Sequence, residues 1–280
     1  MNTNAQACAP PGAALIHSYN AAPDIEVLTS NFPIPGYGLV PINAFVIHGS
    51  EPILVDTGAG VDREAFLPAL RSMIDPADLK WIWLTHTDFD HIGSLQELLA
   101  ENPQIRVITT FLGVGIMSLS APLPLNRVYL VNPGERITVG DRPLTAVRPP
   151  AFDNPSTTGF YDHKSGALFS SDCFGALLSA VPQNAADLSD KDLREGQVFW
   201  ATIDAPWLHK VNRGAFAREL DGIRKMDPKM VLSSHLPAAP GHMTERLLAS
   251  LATVATSQPF VGPDQAALEQ MLKQMTEAPQ

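Results

Sequence analysis

A cluster of potential metal ligands lies between an apolar run and a helical pattern, and it limits the folds open to this chain. Residues 85–93 read Thr-His-Thr-Asp-Phe-Asp-His-Ile-Gly. In an extended chain, residues two apart face the same side, so His86, Asp88 and Asp90 line up. The turn into the following helix then brings His91 to the same side. The pattern predicts a metal site at the end of a buried strand.

Two further candidate ligands end apolar, strand-like runs downstream. Four ligands are too few for two metal ions and too crowded for one, so partners must come from elsewhere in the chain. Asp172 follows the run 167–171, and His235 follows the run 230–234. Functional sites of α/β proteins collect at the carboxyl ends of strands. A single such residue is often structural, but the parallel placement of these two favours ligation.

Strand-like and helical segments alternate through the chain without a break in composition. Apolar residues make up 45% and charged residues 17%, which is enough to build a sizeable core. We predict one α/β domain over residues 25–262, with a loosely ordered arm over residues 1–24.

Residues 263–280 are predicted to add a C-terminal helix. Its apolar residues recur at helical spacing: Ala267, Leu268, Met271, Leu272 and Met275. This helix packs on its own domain or forms a homodimer interface, and the pattern leaves both open.

Charge and cysteine content limit the partners. There are 19 Lys and Arg against 29 Asp and Glu, a net charge of −10, which argues against nucleic acid or an anionic membrane surface. Two cysteines are too few for a disulfide framework or a thiolate zinc cage. No apolar run reaches the ~18 residues of a membrane span. The first eight residues lack a signal-peptide pattern, so we expect a cytoplasmic protein.

Taken in order, these motifs resemble the metallo-β-lactamase superfamily over most of the chain. Val-Asp-Thr-Gly at 55–58 resembles the first motif, in which Asp56 supports the ligands, and 86–91 resembles the second. Asp172 matches the carboxylate that bridges two metals, and His235 matches the last ligand. The resemblance implies an αβ/βα sandwich of two mixed sheets flanked by helices.

The cluster is closest to one branch of that superfamily. It reads His-x-Asp-x-Asp-His, whereas the zinc hydrolases carry His at the position of Asp88. The flavodiiron and related oxygen-binding diiron proteins carry His-x-Glu-x-Asp-His. The stretches 42–47, 168–175 and 231–235 resemble the same branch.

One ligand departs from both branches. The third-motif His is expected about nineteen residues before the bridging carboxylate, and Asp153 stands there. Either the site lost a ligand or a carboxylate replaced an imidazole, as Glu does in a similar diiron β-hydroxylase. An Asp before Asn-Pro is also an ordinary turn residue.

The resemblance implies two metal ions and divides the ligands between them. His86, Asp88 and Asp153 would hold one ion, Asp90, His91 and His235 the other, and Asp172 would bridge. Carboxylate oxygen is a hard ligand, so four carboxylates with three imidazoles favour Fe, with Mn or Zn as alternatives.

Two classes of function remain open. In the first, a diiron centre binds or activates dioxygen as an oxidase, an oxygenase or a sensor without turnover. In the second, a dinuclear metallohydrolase acts on an ester, lactone or thioester through a bridging hydroxide. The ligand chemistry favours the first, and the prevalence of hydrolases in the superfamily favours the second.

The sequence also bears on cofactors. The flavodoxin domain of flavodiiron proteins does not follow within this sequence. The glycines in 113–118 are too few for a dinucleotide fingerprint and lie in a helical pattern. We therefore expect no flavin or NAD site in these residues, and a separate electron donor for any redox reaction of a small-molecule substrate.

Overall fold

Two mixed β-sheets form the centre of the fold over residues 16–277, the part of the chain that the computed structural model describes. The first sheet has seven strands in chain order: β1 (His17–Ala22), β2 (Ile25–Ile34), β3 (Gly38–Ile47), β4 (Ile53–Val55), β5 (Trp81–Trp83), β6 (Arg106–Thr109) and β7 (Val128–Leu130). Neighbours pair antiparallel from β1 to β4 and parallel from β4 to β7.

The second sheet has six strands in the order β13-β12-β11-β10-β9-β8. They are β8 (Arg136–Val139), β9 (Arg142–Val147), β10 (Gly159–Asp162), β11 (Ala167–Phe169), β12 (Met230–Leu232) and β13 (Ala239–Pro240). Only β11 and β12 are parallel neighbours in this sheet. Because parallel neighbours end at the same edge, the segments after β11 and β12 leave the sheet side by side.

Seven α-helices are described: α1 (Arg63–Met73), α2 (Leu95–Glu101), α3 (Phe111–Met117), α4 (Asp190–Asp204), α5 (Arg213–Met226), α6 (Thr244–Thr253) and α7 (Gln265–Glu277). Side-chain caps mark several starts. The Ser189 hydroxyl accepts the N–H of Asp192 before α4, and the Asn212 side chain accepts the N–H of Ala215 before α5. Over residues 16–277, every helix is too short or too polar to cross a membrane.

The layers follow from the alternation of side chains along each strand. In β4, Ile53 and Val55 face the other sheet, while Leu54 between them packs against helices α1 and α2. In β11, Phe169 faces the first sheet and Leu168 packs in the core beneath α4, α5 and α6. The order helix–sheet–sheet–helix confirms the predicted αβ/βα sandwich.

The N-terminal segment differs from the loose arm expected over residues 1–24. Residues 1–15 lie outside the described residues. Residues 17–22 form β1, which pairs with β2 from His17 opposite Thr29 to Ala22 opposite Ile25. The sequence His-Ser-Tyr-Asn lacks the apolar alternation of a half-buried strand. Backbone pairing with a long neighbour compensates for this, so the segment forms the edge of the sheet.

The C-terminal segment forms a helix, as its apolar spacing predicts. Leu268 and Met271 of α7 are 45% and 39% exposed, so their face is not buried against the described part of the domain. The side chain of Met275 lies outside the described residues.

Candidate metal centre

Ends of strands from both sheets supply the candidate ligands. His86, Asp88, Asp90 and His91 lie between β5 and α2, in the turn that links them. From the second sheet, Asp172 follows β11 and His235 follows β12. The facing edges of the two sheets therefore bring together residues separated by up to about 150 positions in the sequence.

Asp172 lies at the centre of three imidazoles. Its Oδ2 is 3.4 Å from Nε2 of His86, and its Oδ1 is 3.3 Å from Nε2 of both His91 and His235. One carboxylate oxygen thus faces one imidazole, and the other oxygen faces two. This is the placement expected of a carboxylate shared between two metal ions.

The remaining candidates separate into the two groups that the resemblance implies. Nε2 of His86 is 3.9 Å from both Asp88 Oδ2 and Asp153 Oδ1. On the other side, Asp90 Oδ2 is 3.3 Å from Nε2 of His91 and 3.4 Å from Nε2 of His235. Each group offers donor atoms within 4.8 Å of one another.

Hydrogen bonds at Nδ1 turn two of the imidazoles inward. His91 Nδ1–H donates to Asp56 Oδ2 at 2.9 Å, and His235 Nδ1–H donates to the carbonyl of Pro41 at 2.9 Å. Since the proton is held at Nδ1, Nε2 presents a lone pair to the centre. His86 Nδ1 lies 3.2 Å from the hydroxyls of Thr85 and Ser171.

Asp56 supports the cluster without facing its centre. It is fully buried, and its Oδ1 accepts the N–H of Thr85 while its Oδ2 accepts the Thr85 hydroxyl and His91 Nδ1–H. The next residue, Thr57, donates its N–H and its hydroxyl to the carbonyl of His91. The first motif therefore holds the turn with the candidate ligands in place through hydrogen bonds.

Gly93 permits the close approach between that turn and the first motif. A Cβ at Gly93 would lie 2.3 Å from the carbonyl carbon of Ala59 and 2.5 Å from the carbonyl oxygen of Gly58. The Gly93 N–H instead donates to that oxygen at 2.8 Å. Any larger residue would separate the ligand turn from its support.

Positive backbone φ angles concentrate at the same edge. Among the described residues other than glycine, φ is positive at four positions, and three of them adjoin the site: Asp56 at 57°, Ser171 at 52° and Phe174 at 70°. Such conformations cost free energy, so they persist where the surrounding structure holds them. Here they turn the chain sharply after β4 and β11 and aim Asp172 at the centre.

Several buried donor and acceptor atoms at the centre have no hydrogen-bond partner. They are Nε2 of His86, Nε2 of His91 and Oδ1 of Asp172. Both imidazoles are 0% exposed and Asp172 is 3% exposed. Unpaired buried polar atoms are rare in folded proteins and require an explanation. Metal coordination satisfies all three, so the residues present fit a metal centre.

The charges at the centre are strongly coupled. Burial alone would lower the pKa of His235, but Asp172 and Asp90 raise it to about 9. Burial alone would raise the pKa of Asp172, but the three imidazoles hold it below its usual range. For Asp153, burial together with Asp172 and Asp88 raises the pKa to about 7. The centre therefore concentrates negative charge that cations would neutralise.

Asp153 lies in the loop between β9 and β10, with its side chain 23% exposed. The neighbouring Asn154 donates from Nδ2 to Asp88 Oδ1 at 2.7 Å and so orients that carboxylate. Asp153 therefore lies on the His86 side of the candidate site, and Asn154 after it contacts Asp88 in the same group.

One acidic residue at the site was missed by the sequence analysis. Asp204 is the last residue of α4, and its carboxylate lies within 4.8 Å of those of Asp153 and Asp172. Burial, Asp172 and Asp153 raise its pKa to about 9. Asp204 does not follow an apolar strand, so the pattern that indicated Asp172 and His235 is lacking here. The sequence offered only the helix cap at Ser189, which indicates α4 but not that its last residue faces the site.

A cavity of about 470 Å³ opens beside Asp88 and Asp90. Its wall includes Ile116 and Met117, and Phe89, which is 85% exposed, lies at its edge. The ring of Trp200 from α4 lies 4.6 Å from the ring of His235. The cavity connects the ligand turn with the outside and is wide enough for a small molecule.

Comparison with known proteins identifies the family. The model of the family described as ODP family beta lactamase matches residues 40–235, which include Asp56 and all seven predicted ligands. The chain belongs to this ODP family. The predicted resemblance to the metallo-β-lactamase superfamily is thereby confirmed.

Relatives of this ODP-family chain include diflavin flavoproteins and a flavorubredoxin. The putative diflavin flavoprotein A 1 of Nostoc sp. is 26% identical over 210 residues, covering 73% of this chain and 34% of the relative. An anaerobic nitric oxide reductase flavorubredoxin of Salmonella typhi is 30% identical over 134 residues, covering 48% of this chain and 28% of the relative. The chain thus spans about a third or less of the length of these curated relatives.

Solved structures agree on the fold. Rubredoxin oxygen:oxidoreductase of Desulfovibrio gigas matches with a TM-score of 0.75 and 18% identity, covering 87% of this chain and 63% of that one. A flavo-diiron protein variant of Thermotoga maritima matches with a TM-score of 0.71 and 21% identity, covering 86% and 63%. The two-sheet sandwich of this chain is the core fold found in those proteins.

Proposed function

We propose that this chain is a non-haem diiron protein that binds or activates dioxygen. The observation that carries the proposal is the convergence of buried Nε2 atoms of His86 and His91 on Asp172, with no hydrogen-bond partner for these nitrogens or for Asp172 Oδ1. A protein interior tolerates such unpaired atoms where an ion binds.

The donor set supports iron over zinc. Four carboxylates join the three imidazoles. Cys173, the one cysteine among residues 16–277, adds no thiolate, because burial raises the pKa of its thiol above the usual range. Carboxylate oxygens are hard ligands that suit iron and manganese. Their four negative charges also accommodate ions of higher charge than a divalent pair.

The relatives support the same chemistry. Two of them are named as an oxygen:oxidoreductase and a nitric oxide reductase. The family model covers the whole predicted ligand set of this chain. We therefore extend reaction with a small diatomic molecule to this chain as a proposal.

The candidate ligands of this chain form two groups, one for each ion. His86, Asp88 and Asp153 would hold one ion and Asp90, His91 and His235 the other, with Asp172 between them. When bound, the iron pair supplies the redox chemistry that these side chains lack. Asp56 holds the His91 proton at Nδ1, and Asn154 orients Asp88. The cavity beside Phe89 admits the small molecule.

We further propose a separate electron donor and a homodimer that uses α7, in a cytoplasmic protein. The donor follows from the chemistry, because the reduction of dioxygen consumes electrons that the side chains at the metal centre do not supply. The exposed Leu268 and Met271 on α7 support the dimer.

The test is the reaction of the reduced protein with dioxygen. The full chain, loaded with ferrous iron without air, is mixed with dissolved dioxygen while the near-ultraviolet absorption and the dioxygen concentration are recorded. We expect an absorption change and consumption of dioxygen in proportion to the iron. If dioxygen is neither bound nor consumed, and the loaded protein hydrolyses a lactone or thioester instead, the proposal is wrong and the metallohydrolase alternative replaces it.

A further inference from the structure

Asp204 brings a carboxylate to the metal centre from a different layer of the fold. It ends α4, on the helix layer that covers the second sheet, whereas Asp153 lies in a loop and Asp172 follows a strand. The three carboxylates offer oxygens within 4.8 Å of one another. The ligand set implied by the superfamily resemblance has no member at this position.

A second, independent feature beside this group of carboxylates points to a bound cation. Nε2 of His86, 0% exposed and without a hydrogen-bond partner, lies 3.4 Å from Asp172 Oδ2 and 3.9 Å from Asp153 Oδ1. The buried Oδ1 of Asp172 also has no partner. Asp153 and Asp172, the two residues that lie close to Asp204, are therefore both next to unpaired buried atoms.

The surroundings of Asp204 offer little to stabilise a carboxylate. It lies at the C-terminal end of a helix of fifteen residues, where the helix dipole disfavours negative charge. The last turn of α4 contains no basic residue. Among residues 16–277, no lysine or arginine forms an ion pair with Asp153, Asp172 or Asp204. A bound cation would supply the missing positive charge.

We propose that Asp204 is an additional ligand of the metal centre, binding on the face formed by Asp153 and Asp172; this inference rests on the proposed dinuclear centre. Asp204 then compensates for the imidazole lost at Asp153. It raises the number of carboxylates at the centre from four to five. Five negative charges exceed the four positive charges of two divalent ions. The centre therefore selects hard ions that reach the trivalent state, of which iron is one.

The test compares iron binding by the full-length protein and two variants. Each protein is stripped with a chelator and titrated with ferrous iron without air. We expect the unchanged protein to bind two ions. In Asp204→Asn, we expect one of them to bind about 10- to 100-fold more weakly. The control is Glu195→Gln, which removes a negative charge from an exposed position on the same helix. It should bind both ions with unchanged affinity.

The stability of the stripped proteins separates ligation from a structural role. Asp204→Asn removes one of three crowded carboxylates, so the stripped variant should unfold at the same temperature as the unchanged protein or at a higher one. A purely structural role predicts a lower unfolding temperature with both iron affinities unchanged, and that result would overturn the inference.

A second measurement does not depend on any variant. In a crystal structure of the iron-loaded full chain, a carboxylate oxygen of Asp204 should lie about 2.0–2.2 Å from an ion. An Asp204 carboxylate more than about 3 Å from both ions would contradict the inference while leaving the dinuclear centre intact. Failure of the unchanged protein to bind two ions would instead contradict the proposed function.

Discussion

Asp153 occupies the position at which the superfamily resemblance predicts a histidine. Its Oδ1 lies 3.9 Å from Nε2 of His86, on the same side as Asp88. We predict that Asp153→Ala loses the ion on this side, while the ion between Asp90, His91 and His235 stays bound. The measurement is metal content by elemental analysis after dialysis.

The matched control for Asp153 is Asp78→Asn, which changes an exposed carboxylate in a remote turn. It should retain both ions. Retention of two ions by Asp153→Ala would show that the loop aspartate is only a turn residue.

Asp56 acts through His91 and not on a metal directly. Its carboxylate accepts the Thr85 N–H at one oxygen and His91 Nδ1–H at the other. In Asp56→Asn the amide NH₂ takes the place of the second oxygen and donates to Nδ1, which moves the imidazole proton to Nε2. We predict that the ion bound by His91 is held about 10- to 100-fold more weakly, measured by titration with ferrous iron.

A second buried aspartate provides the control for Asp56. Asp62 is 6% exposed and accepts a hydrogen bond from Ser30 away from the ligands. Asp62→Asn should leave iron binding unchanged. Equal iron affinities of Asp56→Asn and the unchanged protein would show that Asp56 does not support metal binding.

Whether a site residue could be predicted from the sequence depends on the element that it follows or ends. Asp172 and His235 end short apolar strands, so their position at the sheet edge follows from the local pattern. Asp204 ends a helix whose burial is set by tertiary packing, and nothing in its neighbouring residues marks it as facing a site. The proximity of Asp204 to Asp153 depends on contacts across fifty positions of sequence.

Strands with apolar runs could be predicted from the sequence, whereas the polar strands could not. β5 and β12 are buried along their length or nearly so, and they appear as continuous apolar runs. β1 has a mostly polar, half-exposed sequence and forms because β2 offers it backbone hydrogen bonds. α4 was not predicted, although its Ser189 cap is a helix-start signal.

The helix α7 leads to a prediction about assembly. Leu268 and Met271 are exposed, and burial of apolar side chains between two copies of the same helix favours a symmetric dimer. We predict that the full chain is a dimer in solution and that removal of residues 263–280 produces a monomer, with the mass measured by light scattering. A dimer that persists after the truncation would place the interface elsewhere.

The paired substitution Leu268→Glu with Met271→Glu separates loss of the apolar face from loss of the helix. It should also produce a monomer, because charged side chains on a shared face repel each other. Lys210→Glu, which changes an exposed residue outside α7, should leave the dimer intact.

The candidate metal centre lies between the two halves of the sandwich and takes residues from both. The first sheet and its turns provide His86 to His91, and the second sheet provides Asp172 and His235. Because the ligands come from both halves, metal binding acts on the folded state and stabilises it relative to the unfolded chain.

The metal content of the protein decides whether the centre holds two iron ions. The full chain is expressed in medium supplied with both iron and zinc and purified under air, and its metal content and ultraviolet–visible spectrum are measured. We predict about two metal ions per chain, with iron in excess over zinc, as the two ligand groups around Asp172 imply. We also predict an absorption in the near ultraviolet that disappears on reduction. Two zinc ions per chain with no iron, and no such absorption, would show that the centre is not a diiron site.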